Sequence, residues 1–188
     1  MRDTINRCPW CGDDPLYVEY HDKEWGKKVT DDRILFEFLL LESAQAGLSW
    51  ITILRKREGY RELFADFDPI RVAKYTQEQI DTIVQNPAII RHRGKVAAAV
   101  TNAQIFLDIQ KEFGSFYKYL YTFMPNGESI KNNLTSMKDA QASTPESDAL
   151  SKDLKKRGVK FFGTTICYAF MQATGMVDDH LDSCQFKG

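Results

Sequence analysis

No apolar run in this 188-residue chain is long enough to cross a bilayer. The most apolar stretch, around Phe36 to Leu41, falls far short of the roughly 20 residues a span needs. Residues Met1 to Arg7 carry charge and no apolar segment, so no secretory leader is expected. Excess charge is missing too. A net charge of −1 argues against an indiscriminate polyanion binder, yet leaves room for a local basic face. Four cysteines and three histidines are few, and a chain of this length with a real core needs no disulfide framework. Strict apolar–polar alternation and internal repeats are both absent, which speaks against half-buried sheets and solenoids. What is present is ordinary for a soluble globular protein, 43% hydrophobic and 27% charged residues. The expectation is one all-α domain over residues 1–188, bilobed around a cleft, cytoplasmic and without membrane contact.

Starts and stops along the chain predict its helices. Gly12-Asp13-Asp14-Pro15 reads as a turn, and Tyr17 to Asp22 as a short helix or an extended piece. One helix is expected from about Asp31 to Ala46, with Ile34, Leu35, Phe38, Leu39 and Leu41 at helical spacing. Another runs from Trp50 to about Phe64. Asp68-Pro69 opens a short helix to Tyr75, and Thr76 to Gln79 is a capping box for the next, stopped by Pro87. A long helix from about Ile89 to Phe113 has its weak spot at Gly94, and an aromatic helix spans Phe116 to Met124. Pro125-Asn126-Gly127 is a turn. The polar stretch Glu128 to Thr144 reads as a flexible connection. Basic clusters occur at Arg55-Lys56-Arg57, at Arg91-His92-Arg93 with Lys95, and from Lys152 to Lys160, each read alone as a solvated helix face.

Leu41 to Trp50 is the first stretch that suggests chemistry. Glu42 follows Phe38 by four residues, so its carboxylate points along the apolar stripe. A charge there must be paired, hydrogen-bonded or at a cavity wall. Gln45 sets an amide one turn on. Gly47 ends the helix, Ser49 caps the next, and between them Leu48 puts an apolar side chain on a tight turn. A boundary glutamate in a helical hairpin would fit the same pattern without function.

Residues 147–175 have the form of a helix-hairpin-helix. A basic helix from Asp148 to Arg157 ends at Gly158, Val159 to Gly163 turns, Thr164 and Thr165 act as caps, and Ile166 to Thr174 forms the second helix. A glycine-containing hairpin ahead of a helix exposes N–H groups that bind a phosphate without reading sequence. Flanking lysines, Lys160 among them, add non-specific attraction. An ordinary αα-hairpin has the same outline.

Cysteine and histidine concentrate at the two ends. His180 and Cys184 are spaced i, i+4 and share a face if helical, while Cys8 and His21 lie at the other end. Two Cys and two His complete a tetrahedral, structural Zn²⁺ site that staples the termini together. Cys8-Pro9-Trp10-Cys11 is also a CxxC pair that could supply both thiolates or act in redox chemistry.

Taken in order, these segments resemble the TAG family of bacterial 3-methyladenine DNA glycosylases within the helix-hairpin-helix superfamily. The resemblance is carried by Arg7-Cys8-x-Trp10, Asp14 to Tyr17, Tyr20-His21-Asp22 with Glu24-Trp25-Gly26, Leu41-Glu42 with Gln45 to Trp50, Ile89 to Lys95, Leu150-Ser151-Lys152 with Leu154 to Gly158, Lys160-Phe161 and Asp179-His180. It covers nearly the whole chain.

The resemblance implies a monofunctional enzyme that hydrolyses the N-glycosidic bond of 3-methyladenine flipped out of double-stranded alkylated DNA, acting as a monomer. It implies Glu42 as the base-recognition carboxylate and Tyr20, Trp25, Trp50 and Trp10 as an aromatic pocket, with Gln45 beside them. Leu48, on the Gly47 turn, is implied to plug the gap left in the stack. Lys160, Gly163, Thr164 and Thr165 fall at the phosphate-binding hairpin. One structural zinc is implied on Cys8, His21, His180 and Cys184, which leaves Cys11 a non-ligand. Neither Asp178 nor Asp179 is given a role. A non-catalytic damage-binding module and a Cys8–Cys11 redox protein are the alternatives from other classes.

Overall fold

The computed structural model describes residues 5–188; the first half of the charged N-terminal stretch, residues 1–4, lies outside them. Ten α-helices occur among the described residues: α1 (Pro15–Lys23), α2 (Asp32–Gln45), α3 (Trp50–Leu54), α4 (Arg57–Leu63), α5 (Pro69–Val72), α6 (Gln77–Gln85), α7 (Arg93–Phe113), α8 (Phe116–Tyr121), α9 (Pro145–Arg157) and α10 (Thr164–Ala173). No helix among those residues is long and apolar enough to cross a membrane.

The sequence signals explain most boundaries. Asp14, Asp31 and Asp68 each cap a helix, their carboxylates accepting two backbone N–H bonds apiece. Thr76 and Gln79 form the capping box, and Gly114 closes α7 in the left-handed region. Helix α2 is the organising element. Every residue from Leu35 to Ala44 is buried, because α7, α8 and α10 all pack against it along with α3. One continuous apolar core runs from Cys8 to Cys184.

Three expectations need correction. The helix expected from Trp50 to Phe64 breaks at Arg55 and Lys56, a kink that turns Arg57 inward onto Glu37 (2.7 Å) and Glu24 (2.8 Å). The kink draws Arg57 away from solvent, while Arg55 stays exposed and pairs with Asp14 at 2.6 Å. The helix expected from Ile89 begins only at Arg93, with His92 as its N-cap through Nδ1. The polar stretch Glu128 to Thr144 is ordered: β1 (Ile130–Lys131) pairs in parallel with β2 (Val177–Asp178), and Leu134 bridges to Leu181. Two-residue strands carry no alternation to detect.

Candidate active site

The start of α3, the C-terminal half of α2 and the segment before α2 enclose a cavity of about 210 Å³. Trp10, Tyr20, Trp25, Glu42, Gln45 and Trp50 all line it, so the residues singled out from sequence converge on one place. The aromatic rings brace one another. Trp10 meets Trp25 edge-on at 4.8 Å, Tyr20 lies 5.5 Å from Trp50, and Phe38 stacks behind Trp50 at 6.4 Å. Aromatic side chains have few torsions to freeze, so such a box is preformed.

Four polar atoms on this lining have no protein partner despite being buried: Trp10 Nε1, Trp50 Nε1, Glu42 Oε2 and Gln45 Oε1. Two are donors and two are acceptors. Native interiors rarely leave such groups unmet, so four on one wall mark a place made for a polar ligand. Glu42 is 2% exposed. Burial alone drives its carboxyl well above the usual carboxylate range, since no cation is near enough to oppose it. A cationic ligand would supply the missing counter-charge. Burial, and Glu42 after it, likewise push the Tyr20 phenol up.

Beyond α2 the chain turns outward. Gly47 has φ +82° and Leu48 stands 40% exposed at the tip. Ser49 is the N-cap of α3 by position, although its hydroxyl pairs with Thr52 and not with the helix. The second outward element is the hairpin between α9 and α10. Gly158 ends α9 with φ +104°, and Lys160 and Phe161 are exposed. Gly163, not Thr164 or Thr165, is the N-cap of α10; the threonines are the first helical residues, because the chain enters the helix one residue sooner than expected. A Cβ on Gly163 would meet nothing within 4 Å, and its φ of −68° suits any residue. Neither packing nor backbone conformation therefore demands glycine there, and its bareness leaves the adjoining N–H groups open to approach.

Behind the aromatic box sits the Cys/His cluster. Ligand atoms of Cys8, His21 and Cys184 lie within 4.8 Å of one another, all buried. His180 is outside that trio, with its ring 5.0 Å from that of His21. His180 and Cys184 do not share a helix as their spacing suggests. They follow β2 in a turn, because pairing with β1 and the Leu134–Leu181 bridge hold this segment extended.

The donor chemistry fits a metal. Each histidine engages a carboxylate through Nδ1, His21 with Asp22 at 2.8 Å and His180 with Asp178 at 2.7 Å. That places the proton on Nδ1 and leaves Nε2 an unprotonated acceptor, which in His21 faces the Cys8 N–H at 3.4 Å and Cys184 Sγ at 3.6 Å, an arrangement that orients metal-binding imidazoles. His180 Nε2 is buried and unpartnered. Burial lowers the His21 pKa, which favours the neutral ring a metal requires. Burial also pushes the Cys8 thiol up to about 12, an expense that a bound cation would reverse. Cys11 is separate, its thiol 3.2 Å from the Cys8 carbonyl.

The methyladenine glycosylase family model matches residues 10–187. The chain belongs to the methyladenine glycosylase family. It is 49% identical over 180 residues to DNA-3-methyladenine glycosylase 1 of Escherichia coli K12, covering 96% of each chain. It is 50% identical over 181 residues to DNA-3-methyladenine glycosylase of Haemophilus influenzae, covering 96% of this chain and 97% of that one. A solved structure of 3-methyladenine DNA glycosylase I from Staphylococcus aureus, concerned with the basis of 3-methyladenine recognition, superposes with a TM-score of 0.94. That relative is 41% identical, and the match covers 98% of this chain and 97% of that chain.

This family member has cavity residues that sequence reasoning missed. Tyr17 lies in a matching segment but had no pocket role, and Ala169 and Gln172 share one face of α10. Met137 and Ala140 come from the stretch read as a flexible connection. Asp179 also reaches the wall, its carboxylate accepting bonds from Tyr168, Gln172 and Asn132, each at 2.7 Å. Three spacing at Ala169 and Gln172 was the one readable signal.

Proposed function

We propose that this protein is a monofunctional DNA glycosylase, which hydrolyses the N-glycosidic bond of 3-methyladenine in alkylated double-stranded DNA. The carrying observation is Glu42, a buried carboxylate without a partner, facing a box of aromatic rings. N3-methylation gives the adenine ring a positive charge, which weakens its bond to the sugar and makes the base a good leaving group. Little acid catalysis is then needed. An aromatic box attracts a cationic ring more than a neutral one. Glu42 complements the charge and accepts from the exocyclic amine, while Trp10 and Trp50 offer N–H donors to ring nitrogens and Gln45 a further acceptor. Both effects favour the damaged base over adenine. The E. coli and H. influenzae relatives carry the name of this activity.

A base inside a duplex must be extruded to be reached, and the hole it leaves has to be filled. Leu48 is the wedge, presented by the Gly47 turn. The hairpin from Gly158 to Thr165, with Lys160, Gly163, Thr164 and Thr165, grips the phosphate backbone by its N–H groups and cation. Cys8, His21, His180 and Cys184 hold one structural zinc, and Cys11 stays a free thiol. In this reading the chain is a single cytoplasmic domain of the helix-hairpin-helix glycosylase fold, bilobed around the cleft and active as a monomer.

The test is incubation with methylated duplex DNA and chromatography of released bases. Free 3-methyladenine, with an abasic and unbroken strand, is the expected result. Binding without base release would instead support a damage-binding module.

Proton linkage gives a second check. A permanently charged ligand such as 3,9-dimethyladeninium draws the Glu42 pKa back down. Below the raised pKa of the empty pocket, binding therefore releases a proton, and affinity rises with pH by up to about tenfold per unit. Above it, affinity is flat. Calorimetry in buffers of different ionisation heat reads the released proton directly; no release at any pH would mean the empty pocket already holds an ionised carboxylate.

A further inference from the structure

A helix that ends in a sharp turn strands its last carbonyls. Helix α2 does so where it becomes the wedge. Leu48 N bonds to Gln45 O at 2.6 Å, not to Ala44 O four residues back. Ala44 O and Ala46 O take their donor from another helix: Lys95 Nζ lies 2.8 Å from the first and 2.6 Å from the second. Lysines ordinarily keep their ammonium in water and their stem on the surface. Lys95 does the reverse, half-buried at the first turn of α7 with its charge spent on two backbone carbonyls.

The same helix grips the other outward element. Asn102, 1% exposed, clasps the hairpin through the main chain of Lys160, accepting from its N–H at 2.9 Å and donating to its carbonyl at 3.1 Å. Nearer the start of α7, the Phe161 ring meets His92 edge-on at 5.8 Å. A Cβ on Gly94 would crowd the His92 ring at 3.1 Å and just touch the Phe161 ring at 3.4 Å, so glycine leaves room chiefly for the capping imidazole. One rigid rod thus touches the wedge turn with Lys95 and the hairpin with Asn102.

We propose that Lys95 is a positioning residue for base extrusion: its ammonium clamps the Gln45–Leu48 turn, and α7 fixes the distance between wedge and hairpin. This rests on the glycosylase reading above. A wedge opens a base stack only if the turn behind it holds firm, since a turn that must first be ordered spends insertion energy on itself. Without Lys95 two carbonyls lose their donors and the turn swings toward water.

Lys95→Met keeps the stem and removes the donors. Excision from duplex DNA is expected to fall on the order of 10²-fold, the scale of a wedge displaced by about 1 Å. Affinity for free 3-methyladenine falls far less than duplex excision, because Gln45 is the one residue of the clamped turn on the cavity wall while Glu42 and the aromatic rings lie outside it. Excision from single-stranded alkylated DNA, which has no stack to open, falls far less than from duplex. Lys95→Arg, which retains donors, recovers most of the duplex activity. In a cycle with Leu48→Ala, the double variant is no slower than the slower single variant, since both act through the wedge. If Lys95→Met melts below the assay temperature, Lys95→Leu, which likewise has no donor, carries the same comparisons. Unchanged duplex excision in a folded variant, equal losses on both strand forms, a parallel loss of free-base affinity or plain additivity with Leu48→Ala would each overturn the proposal. A wild-type protein that releases no base would overturn the glycosylase reading instead.

Discussion

Glu42→Gln is expected to lower 3-methyladenine excision by about 10²–10³-fold, the cost of removing one preorganised electrostatic partner from a transition state. The glutamine keeps the shape of the wall and one carbonyl acceptor, so the loss isolates the charge. The same change stabilises the empty protein. Glu42 sits 2% exposed with no cation beside it, and an amide escapes the cost of ionising there. The sign follows from the raised pKa. A carboxyl whose folded pKa lies above its unfolded value holds its proton longer when folded. Its contribution is intact below the unfolded pKa and is lost as pH rises through the interval to the folded pKa. The melting temperature of Glu42→Gln should therefore exceed that of the wild type by more at neutral than at acid pH. Kinetics on a defined lesion duplex and melts at two pH values check both halves. A variant that is slow and also less stable would mean that Glu42 holds the wall together rather than holding the base.

Cys184→Ala carries the second large effect. With one of the two thiolates gone, bound zinc should drop from one equivalent per chain to none in the purified protein. Binding free energy at such a site is folding free energy, so the melting temperature should fall by about 10 °C or more. Atomic emission and a thermal melt measure the two. Cys11→Ser is the internal control. Its thiol faces the Cys8 carbonyl rather than the trio, and zinc content should be unchanged. A metal-free wild type with unaltered stability would remove the zinc assignment altogether.

Helix signals survived translation from sequence to structure where they were local. Asp68 and Thr76 cap as expected because a cap is decided within four residues. Glu42 was legible for the same reason: four-residue spacing from Phe38 fixes its face whatever packs there. Long-range partners decided the rest. Arg57 breaks a continuous helical pattern because Glu24 and Glu37 lie elsewhere in the chain. Met137 and Ala140 reach the cavity only because β1 docks on β2, forty-seven residues along, and a two-residue ladder has no period to read. His92 lies exposed in the basic run as expected, and its ring nitrogen also caps α7, a role the run did not signal. Asp179 has no pattern of its own, and its place on the wall depends on Tyr168, Gln172 and Asn132.

The aromatic box and the Cys/His cluster share a partition. Trp25 packs edge-on against His180 at 4.6 Å, and Trp10 against His21 at 5.2 Å. A zinc held by those histidines, as proposed above, would stiffen the rings a base must stack on. Linkage would then run both ways with equal strength: the factor by which the ion tightened base binding would be the factor by which the base tightened ion binding. Scarcity of metal would be felt as weakened recognition of damage before any unfolding, and a cell rich in lesions would in turn help the protein keep its ion.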